Sequence, residues 1–212
     1  MLLSHKYKFI YIKTFKTAST ATEISLSRYC NGKNDIITEI GKEFQKIRDK
    51  FKVKPKNHIK KTNNRLQSHA YAREILYFVG DEIWNSYTKI TTERHPYDRL
   101  LSHYYHLIKE EVLPRDCTFK DFIFKEKWYN TRTINRERWM LGNSFIPDKF
   151  IKFENLQSEL SSVCEELNIP FDGWMPRVRV GQKKDRTLLT PSIKKRIQIE
   201  NNFIFNYFQY TP

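Results

Sequence analysis

Three short runs of aromatic and β-branched residues each lead into a helical pattern, and this alternation leaves few ways for the chain to fold. Lys8 to Lys13 (KFIYIK) reads as a strand. A turn of small residues, Thr14 to Ser19, separates it from a helix over Thr20 to Tyr29 with Ile24, Leu26 and Tyr29 on its inner side. Lys89 to Glu93 is a second strand, and Pro96 opens a helix running to about Lys109, since proline's fixed φ suits the first helical position. Phe150 to Phe153 is a third strand. The helix after it, Asn155 to Leu167, lines up Leu156, Leu160, Val163 and Leu167 on one side. Further helices are expected over Ala70 to Val79, Phe119 to Lys125 and Ser192 to Tyr207. Strands alternating with helices predict an α/β fold, a parallel sheet flanked by helices, in a single domain spanning residues 1–212. Ligands of such folds bind beyond the carboxyl ends of the strands.

Composition narrows the partners. The chain has 212 residues, 39% hydrophobic, enough to bury a core. Its formal net charge of +14 favours anionic partners such as a nucleotide, a polyanionic glycan, nucleic acid or an anionic membrane surface. The three cysteines, Cys30, Cys117 and Cys164, are widely spaced and read as free thiols with no metal site. No run approaches the ~20 apolar residues that span a bilayer. The N-terminus is too short in apolar residues for a signal peptide, and no Asn-x-Ser/Thr sequon occurs. A cytoplasmic location is the expectation. Lys42 to Lys61 carries nine Lys/Arg against Glu43 and Asp49 and reads as a basic mobile insertion, partly helical at its start.

Two turns after strands carry chemistry. In the first, Lys16-Thr17-Ala18-Ser19-Thr20 leads into a helix. Unpaired backbone N–H groups at a helix start, beside the positive end of its dipole, form an anion cradle. Hydroxyls of Thr17, Ser19 and Thr20 and the charge of Lys16 add to it. The segment lacks the glycines of a Walker loop, so an ordinary ATPase loop is disfavoured. A Ser/Thr-capped helix with a solvated lysine explains this segment equally well by itself. In the second turn, Arg94, Pro96, Arg99 and Ser102 span a strand end and the first two turns of a helix. Arg94 and Ser102 can share one phosphate, while Arg99 suits a neighbouring acid.

Together the two turns resemble the PAPS-dependent sulfotransferases, in particular the carbohydrate (family-2-like) branch. That family pairs an early K-T-[AG]-[ST]-[ST] loop with a later R-x-P-x-x-R-x-x-S segment, and both are matched here in spacing and order. Ser68-His69-Ala70 resembles the segment bearing the family's proposed base. Phe153-Glu154-Asn155-Leu156 resembles its strand-to-helix F-E-[ND]-L. Lys42 to Lys61 has no counterpart, and Thr14-Phe15 stand where many members place a proline before the lysine.

The resemblance implies a P-loop-kinase-like fold and transfer of a sulfuryl group from 3′-phosphoadenosine-5′-phosphosulfate (PAPS) to an acceptor hydroxyl, leaving 3′-phosphoadenosine-5′-phosphate (PAP). It makes Lys16 and His69 catalytic. Lys16, Thr17, Ala18, Ser19 and Thr20 bind the 5′-phosphosulfate end. Arg94 and Ser102 hold the 3′-phosphate, and Lys183, in a late basic stretch, joins them by position. No metal is required. A carbohydrate hydroxyl is the acceptor this branch implies, an anionic glycan fitting the charge, while a small alcohol and a peptide tyrosine stay open as acceptors. His69 is expected to titrate near 6.5 if unperturbed; His95 is its rival. Arg136 and Arg138 are candidates to line an acceptor cleft. A P-loop-type nucleotide kinase and a basic nucleic-acid-binding protein are the alternatives, the latter disfavoured because no helix-turn-helix, zinc-finger or RNP-like signature occurs.

Overall fold

The computed structural model describes residues 1–57, 65–178 and 185–212. Strands, in chain order, are β1 (Leu2–Ser4), β2 (Phe9–Ile12), β3 (Ile36–Ile37), β4 (Thr88–Glu93), β5 (Met140–Leu141), β6 (Ser144–Phe145) and β7 (Lys149–Lys152). The α-helices are α1 (Ser19–Ser27), α2 (Lys42–Asp49), α3 (Ala72–Val79), α4 (Asp81–Ser86), α5 (Pro96–Lys109), α6 (Phe119–Phe124), α7 (Tyr129–Thr133), α8 (Arg136–Trp139), α9 (Leu156–Glu166), α10 (Pro191–Glu200) and α11 (Asn202–Phe208). The chain forms two compact units, one from Met1–Glu93 with Asn135–Val178, the other from Arg94–Ile134 with Arg179–Pro212. Among the described residues no helix is long and apolar enough to cross a membrane.

The first unit is an α/β layer structure around a sheet of order β3-β1-β2-β4-β7. The three predicted strands are β2, β4 and β7, and they run parallel. The sheet is nevertheless mixed, because β1 pairs antiparallel with β2, and β3 antiparallel with β1. These two strands are too short to show a periodicity. Successive side chains of a strand point to opposite faces, and both faces are covered. Phe9 and Tyr11 meet Leu26, Ile90, Leu160, Val163 and Cys164 on one side. Ile10 and Ile12 meet Leu3, Ala72, Ile75 and Trp84 on the other. Helix α3 ends where expected, at Gly80, whose φ of 81° favours glycine.

Part of the basic stretch is built into this unit. Residues 42–49 form α2, whose Phe44 and Arg48 are buried. Lys56 bridges Ile37 beyond β3. The reason lies in Glu23, fully buried on α1. Its carboxylate takes Lys13 Nζ at 2.5 Å and Arg48 Nη2 at 3.1 Å. Thr38 Oγ1 and the Met1 amine each donate to it at 2.9 Å. An unpaired buried charge is costly, so Arg48 is drawn inward and α2 with it. Residues 58–61 of the basic stretch lie outside the described residues.

The second unit is helical. Its core joins Tyr97, Leu100 and Leu101 of α5 to Phe119, Phe122 and Ile123 of α6, Ile193 and Ile197 of α10 and Phe205 of α11. The helix predicted over 192–207 is two helices, broken at Asn201. The Asn201 amide donates to Ile197 O at 2.9 Å and accepts from Arg99 at 3.0 Å.

Candidate active site

Residues 13–18 join the carboxyl end of β2 to the start of α1. Lys16 and Ala18 both have left-handed backbones, with φ of 62° and 58°. For a residue bearing a Cβ this conformation costs about 1–2 kcal/mol. Left-handed residues alternating with others curve a backbone so that its N–H groups face a common concavity. Loop and helix dipole therefore favour an anion at the same place.

What holds the loop in this shape is a ladder of hydroxyls. Thr14 Oγ1 donates to Thr92 O at 2.6 Å on β4. Thr17 Oγ1 lies 2.8 Å from Thr14 Oγ1 and 2.9 Å from Thr92 Oγ1. Tyr11 OH lies 3.0 Å from the same Thr92 hydroxyl. Ser19 Oγ donates to Thr14 O. Thr17 and Ser19 are buried, so their hydroxyls serve the loop. The sequence suggested ligand donors at Thr17, Ser19 and Thr20; Thr20 alone of these is half-buried. Lys16, also half-buried, stands at the loop's centre. Before it, Phe15 N donates to Asn135 Oδ1 at 2.7 Å, and Asn135 Nδ2 donates to Phe15 O at 2.9 Å.

His69 is brought to this loop. Its ring stacks on Phe15, with centroids 3.9 Å apart and planes inclined by 11°. Its Nδ1 lies 3.3 Å from Lys13 O. A carbonyl only accepts, so this contact puts the proton on Nδ1 and leaves the Nε2 lone pair open. Ser68 is tied in as well, accepting from Lys13 Nζ at 3.1 Å. Burial first, then the charges of Lys13 and of the Met1 amine, pushes the His69 imidazole down to about 3, while Glu23 and the Lys13 carbonyl act the other way. The sequence-based value near 6.5 is thereby corrected: the ring is neutral over the whole physiological range.

Arg136 and Arg138, the candidates to line an acceptor cleft, both lie on α8. Arg138 is buried, donates to His69 O and lies 3.7 Å above the centroid of the Tyr71 ring. Arg136 is exposed and directs Nε to Met140 Sδ at 3.4 Å.

In the second unit, Arg94 follows β4 in the chain and is half-buried. His95 caps α5, its Nδ1 accepting from Tyr97 N at 3.3 Å, and its Nε2 lies 3.1 Å from Thr211 O. With both ring nitrogens engaged, it is less suited than His69 to accept a proton. Ser102 is half-buried on α5, about 9 Å along the axis from Pro96 at ~1.5 Å per residue. Arg99 is buried and donates to Arg132 O at 3.1 and 3.2 Å. Arg132 in turn grips Glu200 at 2.6 and 2.8 Å. These bonds give Arg99 a structural role within the second unit. Asp98 pairs with Arg186 at 2.5 Å. Lys183 lies outside the described residues.

A model of the sulfotransferase family matches residues 1–177. The chain belongs to the sulfotransferase family. The match takes in the left-handed loop, His69 and the segment from Arg94 to Ser102. As a sulfotransferase the protein is a transferase of sulfuryl groups, and a hydroxyl-bearing acceptor follows from that chemistry. The kinase and nucleic-acid-binding readings give way to it. No curated protein and no solved structure matches the chain.

Asn135 and Thr92 were not legible as site residues. Asn135 lies 120 positions from Phe15 and Thr92 lies 78 from Thr14, and neither belongs to a motif at the loop.

Proposed function

We propose that this sulfotransferase uses PAPS as donor and a carbohydrate hydroxyl as acceptor, residues 1–212 acting as one catalytic domain. The observation that carries the reading is the doubly left-handed loop between β2 and α1, with Lys16 at its centre. Two strained residues persist where the surroundings over-determine them, and such strain gathers at ligand-binding turns. PAPS supplies an activated sulfuryl group and a phosphate leaving group when bound.

The chain's residues then divide the work. Backbone N–H groups of Thr17, Ala18, Ser19 and Thr20, with the Thr20 hydroxyl, receive the 5′-phosphosulfate end. Lys16 stabilises negative charge growing on the bridging oxygen, where a preorganised cation is most effective. Arg94 and Ser102 receive the 3′-phosphate, a role the resemblance extends to Lys183. His69 accepts the acceptor's hydroxyl proton on Nε2, while Lys13 O holds the tautomer that leaves this atom unprotonated. An anionic glycan suits a chain of net charge +14.

The test compares PAP, AMP and ATP by thermal shift. At one hundred times its dissociation constant a ligand stabilises the fold by about 2.7 kcal/mol. PAP is expected to stabilise well beyond AMP, because only PAP carries the 3′-phosphate. Equal shifts from PAP and AMP would remove the role given to Arg94 and Ser102, and a larger shift from ATP would favour a kinase.

A further inference from the structure

The amide of Asn135 is bonded to both backbone groups of Phe15, the residue immediately before Lys16. Its Oδ1 accepts from Phe15 N at 2.7 Å and its Nδ2 donates to Phe15 O at 2.9 Å. One side chain thus satisfies Phe15 as a neighbouring strand would. Asn135 is 1% exposed, so water does not substitute for it without cost.

The mount for this side chain is itself anchored. Asn135 begins α8, and Trp139 at the other end of that turn is buried against Phe145 and Phe150, at centroid distances of 4.8 and 5.8 Å. Ile146 N donates to Trp139 O at 3.2 Å. Between them, Arg138 donates to His69 O and covers Tyr71. Phe15 in turn stacks on the His69 ring. The turn 135–139 therefore touches both the anion loop and the segment bearing His69.

We propose that Asn135 is a positioning residue of the candidate active site, setting the left-handed geometry of Lys16 by clamping Phe15; the proposal rests on the donor reading above. Thr14 is held to β4 on one side of Phe15, and Asn135 holds Phe15 itself. With both fixed, Lys16 has little freedom but to keep φ at 62°. The loop's amides and the Lys16 side chain are then aimed before any ligand arrives. Preorganisation of this kind raises affinity by removing an ordering cost. Displacement by about 1 Å at a reacting centre can cost about 10²-fold in rate.

The experiment measures PAP affinity by calorimetry at a temperature where every variant is folded, alongside the thermal midpoint. Asn135→Ala is expected to weaken PAP binding about tenfold, the equivalent of one net hydrogen bond. Leu160→Ala, a core truncation on the buried side of α9, serves as the control. It is expected to lower the midpoint with PAP affinity within twofold of wild type. Should Asn135→Ala fail to fold, Asn135→Asp keeps the bond from Phe15 N and replaces the Nδ2 donor with an acceptor. It is expected to weaken PAP by more than tenfold at low salt and by less at high salt. Unchanged PAP affinity in these Asn135 variants overturns the proposal. So does a loss in Leu160→Ala equal to theirs, since the effect would then be one of stability. Wild-type protein that does not bind PAP overturns the donor reading itself, and this proposal with it.

Discussion

Glu23 shows how much one side chain organises. Burial alone would push its carboxyl up, but Lys13, the Met1 amine and Arg48 override that and hold it well below the usual carboxylate range. Its contribution is therefore complete above the unfolded value near 4.5 and is lost as pH falls through the folded one. Glu23→Gln leaves Lys13 and Arg48 buried without their countercharge and is expected to destabilise the protein by about 3–5 kcal/mol, read from urea unfolding. A loss under ~1 kcal/mol would mean that the cluster is solvated. His69 has the same sign of linkage. Its folded value is about 3 against 6.5 unfolded. Between these the unfolded chain binds more protons, so stability falls as pH drops from 6.5 towards 3. His69→Asn removes that proton uptake, and its unfolding midpoint is expected to depend less on pH across this window. An unaltered slope would show that His69 is not held neutral. For the same reason kcat/KM of the wild type is expected to show no acid limb near 6.5, a profile measurable once an acceptor is in hand. Lys16→Ala is expected to keep the fold and most PAP affinity and to lose turnover worth about 2.7–4 kcal/mol of barrier. Unchanged turnover would mark Lys16 as a solvated lysine.

At the scale of elements, the β2–α1 loop gives the sharpest test. Ala18 stands at φ 58° and ψ 16° as the residue before α1, with no side-chain cap on the helix. Glycine bears this conformation without the Cβ penalty of about 1–2 kcal/mol, less the entropy it returns to the unfolded chain. Ala18→Gly is expected to raise stability by up to ~1 kcal/mol, whereas Ala18→Val, stiff and β-branched, is expected to lower it. Denaturant midpoints of the two variants decide the matter. If they shift in the same direction, the left-handed backbone at residue 18 is wrong. The helices α10 and α11 make a related point. The break falls at Asn201, whose amide bonds Ile197 O and Arg99, contacts invisible to periodicity.

For the whole molecule the +14 charge is the governing quantity. A long-range field of one sign raises the local concentration of anionic ligands and is screened by salt over about 10 Å at 0.1 M. PAP affinity is expected to fall with ionic strength, and more steeply than AMP affinity, because PAP carries the extra phosphate. Parallel salt dependences for the two nucleotides would argue that the second phosphate meets no cluster of charge.

The strand–loop–helix units around Lys8–Tyr29, Lys89–Lys109 and Phe150–Leu167 were legible in the sequence because hydrophobic periodicity and turn chemistry are local. So were the segments at Lys16–Thr20 and Arg94–Ser102, whose spacing follows from one strand end and one helix start. The antiparallel strands β1 and β3 were not, since two or three residues carry no period and acquire their state from the neighbour they pair with. The inward turn of Arg48 was hidden for a similar reason: in a run of nine basic residues, only the position of Glu23 singles one out. The same holds for the Thr17 and Ser19 hydroxyls, which the sequence offers as ligand donors and the fold spends on Thr92 and Thr14. Burial and long-range hydrogen bonds decide these cases. They depend on which residues meet across the sheet, and no window of sequence around residue 16 contains Thr92 or Asn135.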